Sequence, residues 1–192
     1  MESQDPYPPQ AHHTQTPTRS VHIDFTGWQQ TPVKVTEGTP SGAVIYTVDL
    51  TRRPQMKFLV GTSQTSLATV SVQALGSSLG VAMHGRNITV DIKSRLKTEG
   101  NYKSPSLQNA SMTWKSRSMK VFDFELRDSN AVLLAQFNPH SSWSRHKAAR
   151  LDLFGPSVSN GRLMEEIVVT GVALVHSTML QLEAAAGQGA SS

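Results

Sequence analysis

Apolar and polar residues alternate with a period of two through much of the chain, the mark of strands with one face turned to a core. Residues 43–50 (AVIYTVDL) are β-branched and bounded by Pro40-Ser41-Gly42 and Thr51-Arg52-Arg53-Pro54. Residues 56–61 (MKFLVG) make a short apolar run. In residues 67–74, Ala68, Val70 and Val72 alternate with Thr69, Ser71 and Gln73. Ile88, Val90 and Ile92 share one face of residues 87–93, and Thr89, Asp91 and Lys93 the other. Met112 and Trp114 share a face of residues 111–115, as do Phe122, Phe124 and Leu126 in residues 119–126. Residues 127–130 (RDSN) read as a turn that returns 131–137 as a hairpin partner, and 149–154 close the series. Strands recur about every 10–12 residues with turn chemistry between them, the rhythm of a sandwich or barrel.

One segment breaks this period. Residues 167–182 carry no full charge and are apolar on every side, interrupted by Thr170, Gly171, His176, Ser177, Thr178 and Gln181. The pattern predicts a helix over about 162–183, with residues 157–160 (SVSN) offering a cap and Glu165 and Glu166 in its opening turns. The apolar stretch falls short of the roughly 20 residues that span a bilayer, so it reads as a helix buried in a core. An antiparallel sheet closed around it would bury the helix and remove the exposed strand edges together. Residues 1–20, with Pro6, Pro8, Pro9 and Pro17 among polar residues, read as a disordered leader, and 184–192 (AAAGQGASS) as a frayed tail. The predicted folded domain is 21–183.

Composition supports the strand-rich reading: charged residues are only 17% of the chain. Cysteine is absent, which excludes disulfides, thiolate metal sites and thiol catalysis. The net charge of +4 conceals an uneven distribution. Residues 1–50 carry −3, residues 51–120 carry +9 and residues 121–192 carry −2. Two basic groups, Lys93, Arg95, Lys97 and Lys115, Arg117, Lys120, fall at predicted strand ends. If they neighbour one another they could hold an anionic phospholipid headgroup or a membrane surface; otherwise they form a solvated face. Arg145, His146, Lys147 and Arg150 form a smaller group with the same two readings. A nucleic-acid surface would interleave exposed aromatics, and Trp114 alternates as core, so no nucleic-acid partner is expected.

Catalytic patterns are weak. Gly76-Ser77-Ser78-Leu79-Gly80 fits G-x-S-x-G, but the residues after it alternate like a strand, where a nucleophile elbow needs a helix. Ser78 therefore reads as a turn residue, with a serine esterase as the open alternative. His140 and His146 have no further ligand at metal spacing, His176 reads as a core histidine, and no cofactor is expected. Asp123 and Glu125 share an outward strand face. Without an apolar stretch in residues 1–20 no secretory signal is expected, which points to an intracellular, cytoplasmic protein, peripheral at membranes if it binds them.

Met112-Thr113-Trp114-Lys115, then Phe122-Asp123-Phe124-Glu125-Leu126-Arg127-Asp128, then residues 132–137, resemble the core of fungal tubby C-terminal-like domains. Leu151-Asp152-Leu153 and residues 163–171 (LMEEIVVTG) extend the similarity, which covers roughly residues 21–182. The resemblance implies a closed antiparallel barrel of about twelve strands around a central hydrophobic C-terminal α-helix. Tubby, plant LURP-one-related proteins and phospholipid scramblases share that architecture. Tubby binds phosphoinositides, but no matching basic motif stands in this chain. The resemblance itself says little about activity; together with the basic middle segment it leads to the expectation of a non-enzymatic binding or adaptor protein that could bind anionic phospholipid headgroups, and a membrane-anchored, scramblase-like protein using the C-terminal helix is the alternative.

Overall fold

A computed structural model describes residues 15–26, 32–50, 55–63, 65–73, 77–94, 97–118, 122–140 and 148–188. Twelve strands follow one another as β1 (Arg19–Asp24), β2 (Val33–Glu37), β3 (Val44–Asp49), β4 (Gln55–Val60), β5 (Ser66–Val72) and β6 (Ser78–Met83). Then come β7 (Arg86–Ser94), β8 (Thr98–Ser104), β9 (Ala110–Ser116), β10 (Phe124–Asp128), β11 (Leu133–Pro139) and β12 (Ala148–Leu153). Each pairs antiparallel with its sequence neighbours, and β12 pairs back onto β1, so the sheet is a closed up-and-down barrel. A one-turn helix α1 (Pro156–Ser159) leads into the long helix α2 (Gly161–Gln188).

The barrel needs its helix. Eight strands enclose just enough space for their own side chains, and twelve enclose more. A helix about 10–12 Å across fills that lumen. Side chains on every face of α2 from Ile167 to Met179 are buried, which explains why the sequence there shows no polar stripe. By length and composition alone Gly161–Ala186 could cross a membrane, but 83% of its apolar window is buried inside the barrel.

Individual contacts set the helix in place. The Asn160 side chain caps it, accepting from the Leu163 backbone N–H at 3.2 Å. Trp114, on β9, reaches inward and donates its indole N–H to Thr170 Oγ1 at 3.1 Å. Gly171 lies beneath that ring: a Cβ there would sit 3.0 Å from Trp114 Cζ2. Gly100, on β8, makes similar room, its missing Cβ lying 3.6 Å from Leu174 Cδ1.

Asp152 holds the seam where β12 joins its neighbours. Its carboxylate is 3% exposed and accepts from Ser20 on β1, from Asn138 Nδ2 on β11 at 2.7 Å and from Arg150. The β2–β3 turn depends on Gly42, where a Cβ would fall 1.9 Å from the Glu37 carbonyl oxygen. No side chain relieves a backbone clash, so Gly42→Ala is expected to lower stability by about 2 kcal/mol or more, read from a urea midpoint.

Several sequence expectations shift. Strand β1 begins at Arg19, within the expected leader, and α2 runs on to Gln188, through residues expected to fray. Residues 1–14 and 189–192 lie outside the described residues. The strand expected at 119–126 is β10 at Phe124–Asp128, because Phe122 has φ 71° and turns the chain before it. Arg127 and Asp128 thus belong to the strand. Asp128 Oδ1 then takes the backbone N–H groups of Asn130 and Val132, both at 2.9 Å, to build the hairpin turn. Ser78, read as a turn residue, is the first residue of β6.

Candidate functional site

Strands β7, β8 and β9 bring the expected basic residues together. Lys93 pairs across with Glu99, Glu99 with Lys115, and Lys115 with Glu125 on β10. Neighbours in such a row stand about 5 Å apart at Cβ. Their chain neighbours Ile92, Gly100 and Trp114 are buried, so the row itself faces outward. Lys97 is exposed just before β8, and Arg117 follows β9 at the same end. Arg95 and Lys120 lie outside the described residues, as do Arg145, His146 and Lys147 of the smaller group.

Acidic residues run through this cluster. Arg117 Nε donates to Asp123 Oδ1 at 2.7 Å, and its terminal nitrogen reaches Asn138. Arg127 holds Glu125 with Nε to Oε1 at 2.9 Å. Lys93, Lys97 and Lys115 make no ion pair among the described residues. Sequence reasoning found these lysines but missed Glu99, because only cross-strand register puts a residue six positions from Lys93 directly beside it.

The same strands part at the other end. Register between β7 and β8 runs only from Asp91–Asn101 to Ser94–Thr98. Beyond it two hollows open. One, of about 450 Å³, lies on the outer wall along Thr89, Asp91, Asn101 and Lys103. The other, of about 260 Å³, sits between the β6–β7 turn, the 3₁₀ turn at Pro105–Leu107 and the N-terminal end of α2.

Local geometry builds this second hollow. His84 and Gly85, both with positive φ, make the tight turn between β6 and β7 and carry His84 to the rim. His84 Nε2 meets Glu165 Oε2 at 2.6 Å. Arg86 donates to the Pro105 carbonyl at 2.9 Å, bridging the parted strands. Below lies Glu166, fully buried, with Oε2 accepting from the Ser106 N–H at 3.3 Å.

Buried phenols respond to these acids. Tyr102, buried on β8 beside Glu166, is held well above the ordinary tyrosine range, first by burial and then by its interaction with Glu166. Its hydroxyl lies beside the Thr170 side chain and the Glu166 carboxylate. Tyr46, near the same rim, is pushed up to about 12 by burial and by Glu165. Glu165 and Glu166, expected as helix-dipole partners, begin one turn too late for that role.

The other candidates take structural places. Ser78 is 8% exposed and donates to Gln73 Oε1 at 2.8 Å, inside a strand and away from any helix start. His176 is buried among the helix core residues. Among the described residues no group of three or more His, Asp or Glu could hold a metal ion. Comparison with protein-family models, curated proteins and solved structures finds no match for this chain.

Proposed function

We propose that this chain is a non-catalytic, tubby-like binding or adaptor protein that engages an anionic phospholipid surface through the outer wall of β7–β9. The observation that carries the reading is the placement of Lys93, Lys97 and Lys115 at one end of adjacent strands, with no ion pair among the described residues. Lysines left without a partner are free to meet phosphate groups, whereas Arg117 is already held by Asp123. A barrel filled by its own helix has no lumen for a lipid chain, so headgroup contact at the surface is the mode that fits.

Each lysine near an anionic surface contributes about 1 kcal/mol. Replacing Lys93, Lys97 and Lys115 together by Gln is expected to weaken binding to phosphoinositide-containing liposomes on the order of a hundredfold in flotation. Wild-type binding should fall as salt rises. Equal flotation with neutral liposomes, or no change in the triple variant, would refute the reading.

The membrane-anchored alternative has one observation in its favour, the length and apolar composition of α2. It requires the helix to leave the barrel, and carbonate extraction separates the two. A peripheral protein is released in full, and an anchored one stays with the membrane.

A further inference from the structure

Half of β7 has a neighbouring strand on one side only. It pairs with β6 from Arg86 to Asp91, but with β8 only from Asp91 to Ser94. Strand β8 meanwhile stays on β9 up to Ser104. The barrel wall therefore contains a slot, with residues 86–90 along one flank and 102–104 along the other. Arg86 spans its open end to reach the Pro105 carbonyl at 2.9 Å.

Two bonds fix which backbone groups face the slot. In an antiparallel ladder a residue turns its N–H and C=O to the same neighbour, and the next residue turns its own the other way. Ile92 donates its N–H to the Ser77 carbonyl at 2.8 Å, on the β6 side, so Asn87, Thr89 and Asp91 face β8. The Ser104 carbonyl accepts from the Asn109 N–H at 2.8 Å, on the β9 side, so Lys103 faces β7. Asp91 finds Asn101 across the gap, whereas Asn87, Thr89 and Lys103 have no ladder partner there. All three residues are exposed. Such a row of open donors and acceptors is a template for one more strand.

The flanks belong to a closed wall, and a second barrel has no protruding strand edge to lay between them, whereas a single extended segment fits. Alongside residues 86–90 it would run for about five residues, or about 17 Å. The hollow of about 450 Å³ lies over the slot, and buried Ile88, Tyr102 and Met112 close its floor, so inward side chains must be small. Arg86 and Lys103 outweigh Asp91 in charge along it, which favours an acid on the outward face. We propose that the slot between β7 and β8 takes an extended segment of a partner protein as an added strand, with small side chains inward and an acidic one outward beside Lys103. Because β7 and β8 run in opposite directions, that strand is antiparallel to one and parallel to the other. The slot lies at the far end of β7–β9 from the lysine row, so it goes beyond the lipid reading and does not depend on it.

Amide hydrogen exchange on the full chain, read by NMR, tests this with the capped peptide Thr-Ala-Glu-Ala-Thr. In the free protein the amides of Asn87, Thr89 and Lys103 are expected to exchange at least about tenfold faster than those of Ile88 and Val90. Millimolar peptide should slow the three by about tenfold. The same peptide N-methylated at its central residues should not slow them, and one with Lys for Glu should bind about tenfold more weakly. Thr89→Pro removes a donor that faces the slot and no bond to β6, so it should fold and bind the peptide less well. If it does not fold, the wild-type exchange rates decide. The Lys93→Gln/Lys97→Gln/Lys115→Gln variant should bind the peptide as the wild type does, which separates this outcome from that of the lipid reading. Three results would overturn the proposal: slot amides already as protected as Ile88 and Val90, no protection by millimolar peptide, or equal protection by the N-methylated form. Protection that grows with protein concentration in the absence of peptide would assign the slot to a second copy and overturn it too.

Discussion

Leu174→Asp is expected to eliminate soluble folded protein. Leu174 has no exposed surface and lies at the middle of α2, against Gly100 on β8. A carboxylate there would replace an apolar side chain in the barrel interior, where the described neighbours offer it no basic partner. Burying such a charge costs several kcal/mol, comparable with the whole stability of a domain. Ionisation would be suppressed in response, but the neutral acid still lacks its hydrogen bonds. Val169→Asp should behave alike, since Val169 is equally buried. Leu182→Asp serves as the control, because Leu182 is 46% exposed near the end of the same helix. Soluble yield, gel filtration and circular dichroism read the outcome. Normal folding of both interior variants would mean that α2 is not the core of the barrel.

Trp114→Ala is expected to cost about 3–5 kcal/mol, the range for emptying a large aromatic site. The indole is fully buried, and its N–H bond to Thr170 disappears with it. Thr170 keeps its own bond to the Glu166 carbonyl at 2.9 Å, so the helix backbone is not left open. The cavity against Gly171 is then the dominant loss.

A second substitution isolates that contact. Gly171→Ala gains about 1 kcal/mol of helix propensity but places a methyl 3.0 Å from the ring. Trp114 cannot swing away while its N–H is held by Thr170, so the net effect should be destabilising by about 1–2 kcal/mol. In a Trp114→Phe background the same Gly171→Ala should stabilise, because the smaller ring vacates the space the methyl fills. A double-mutant cycle by denaturant unfolding checks the reversal of sign. Additive effects would show that the indole and the glycine do not constrain each other.

The strands that alternate in sequence are the ones with ordinary walls. Val90 and Ile92 on β7, or Phe124 and Leu126 on β10, turn large apolar groups inward, and the period of two is the direct result. Strand β8 (Thr98–Ser104) shows no such signal, since its inward positions are Gly100, Tyr102 and Ser104. They are small or polar because Leu174 presses on Gly100 and because Glu166 lies near Tyr102. A strand shaped by a distant helix is invisible to its own local pattern. Strand β6 (Ser78–Met83) was obscured for a related reason: Gly80 sits close to Ser71 across the ladder, and glycine and serine read as turn residues.

The lysine row was half legible. Basic residues at 93, 97 and 115 announce themselves, but the placement of Glu99 between Lys93 and Lys115, and of Glu125 beyond Lys115, comes from register alone. A slip of one residue on β8 would place Glu99 inside the barrel. The hollow at the other end was not legible at all. Glu165 and Glu166 are identical neighbours in sequence, yet the rotation of about 100° between successive helix positions sends one to a rim histidine and the other into the interior.

Short two-faced strands around an apolar helix could be read from the chain without coordinates, because hydrophobic period is a local property of each segment. A closed sheet around that helix was expected as well, but the pairing register that sets the charges in one row and the burial of Glu166 beneath the 3₁₀ turn emerge only when the chain is folded. Those depend on distances between residues far apart in the chain, which pairing register and helix rotation set and no local pattern records.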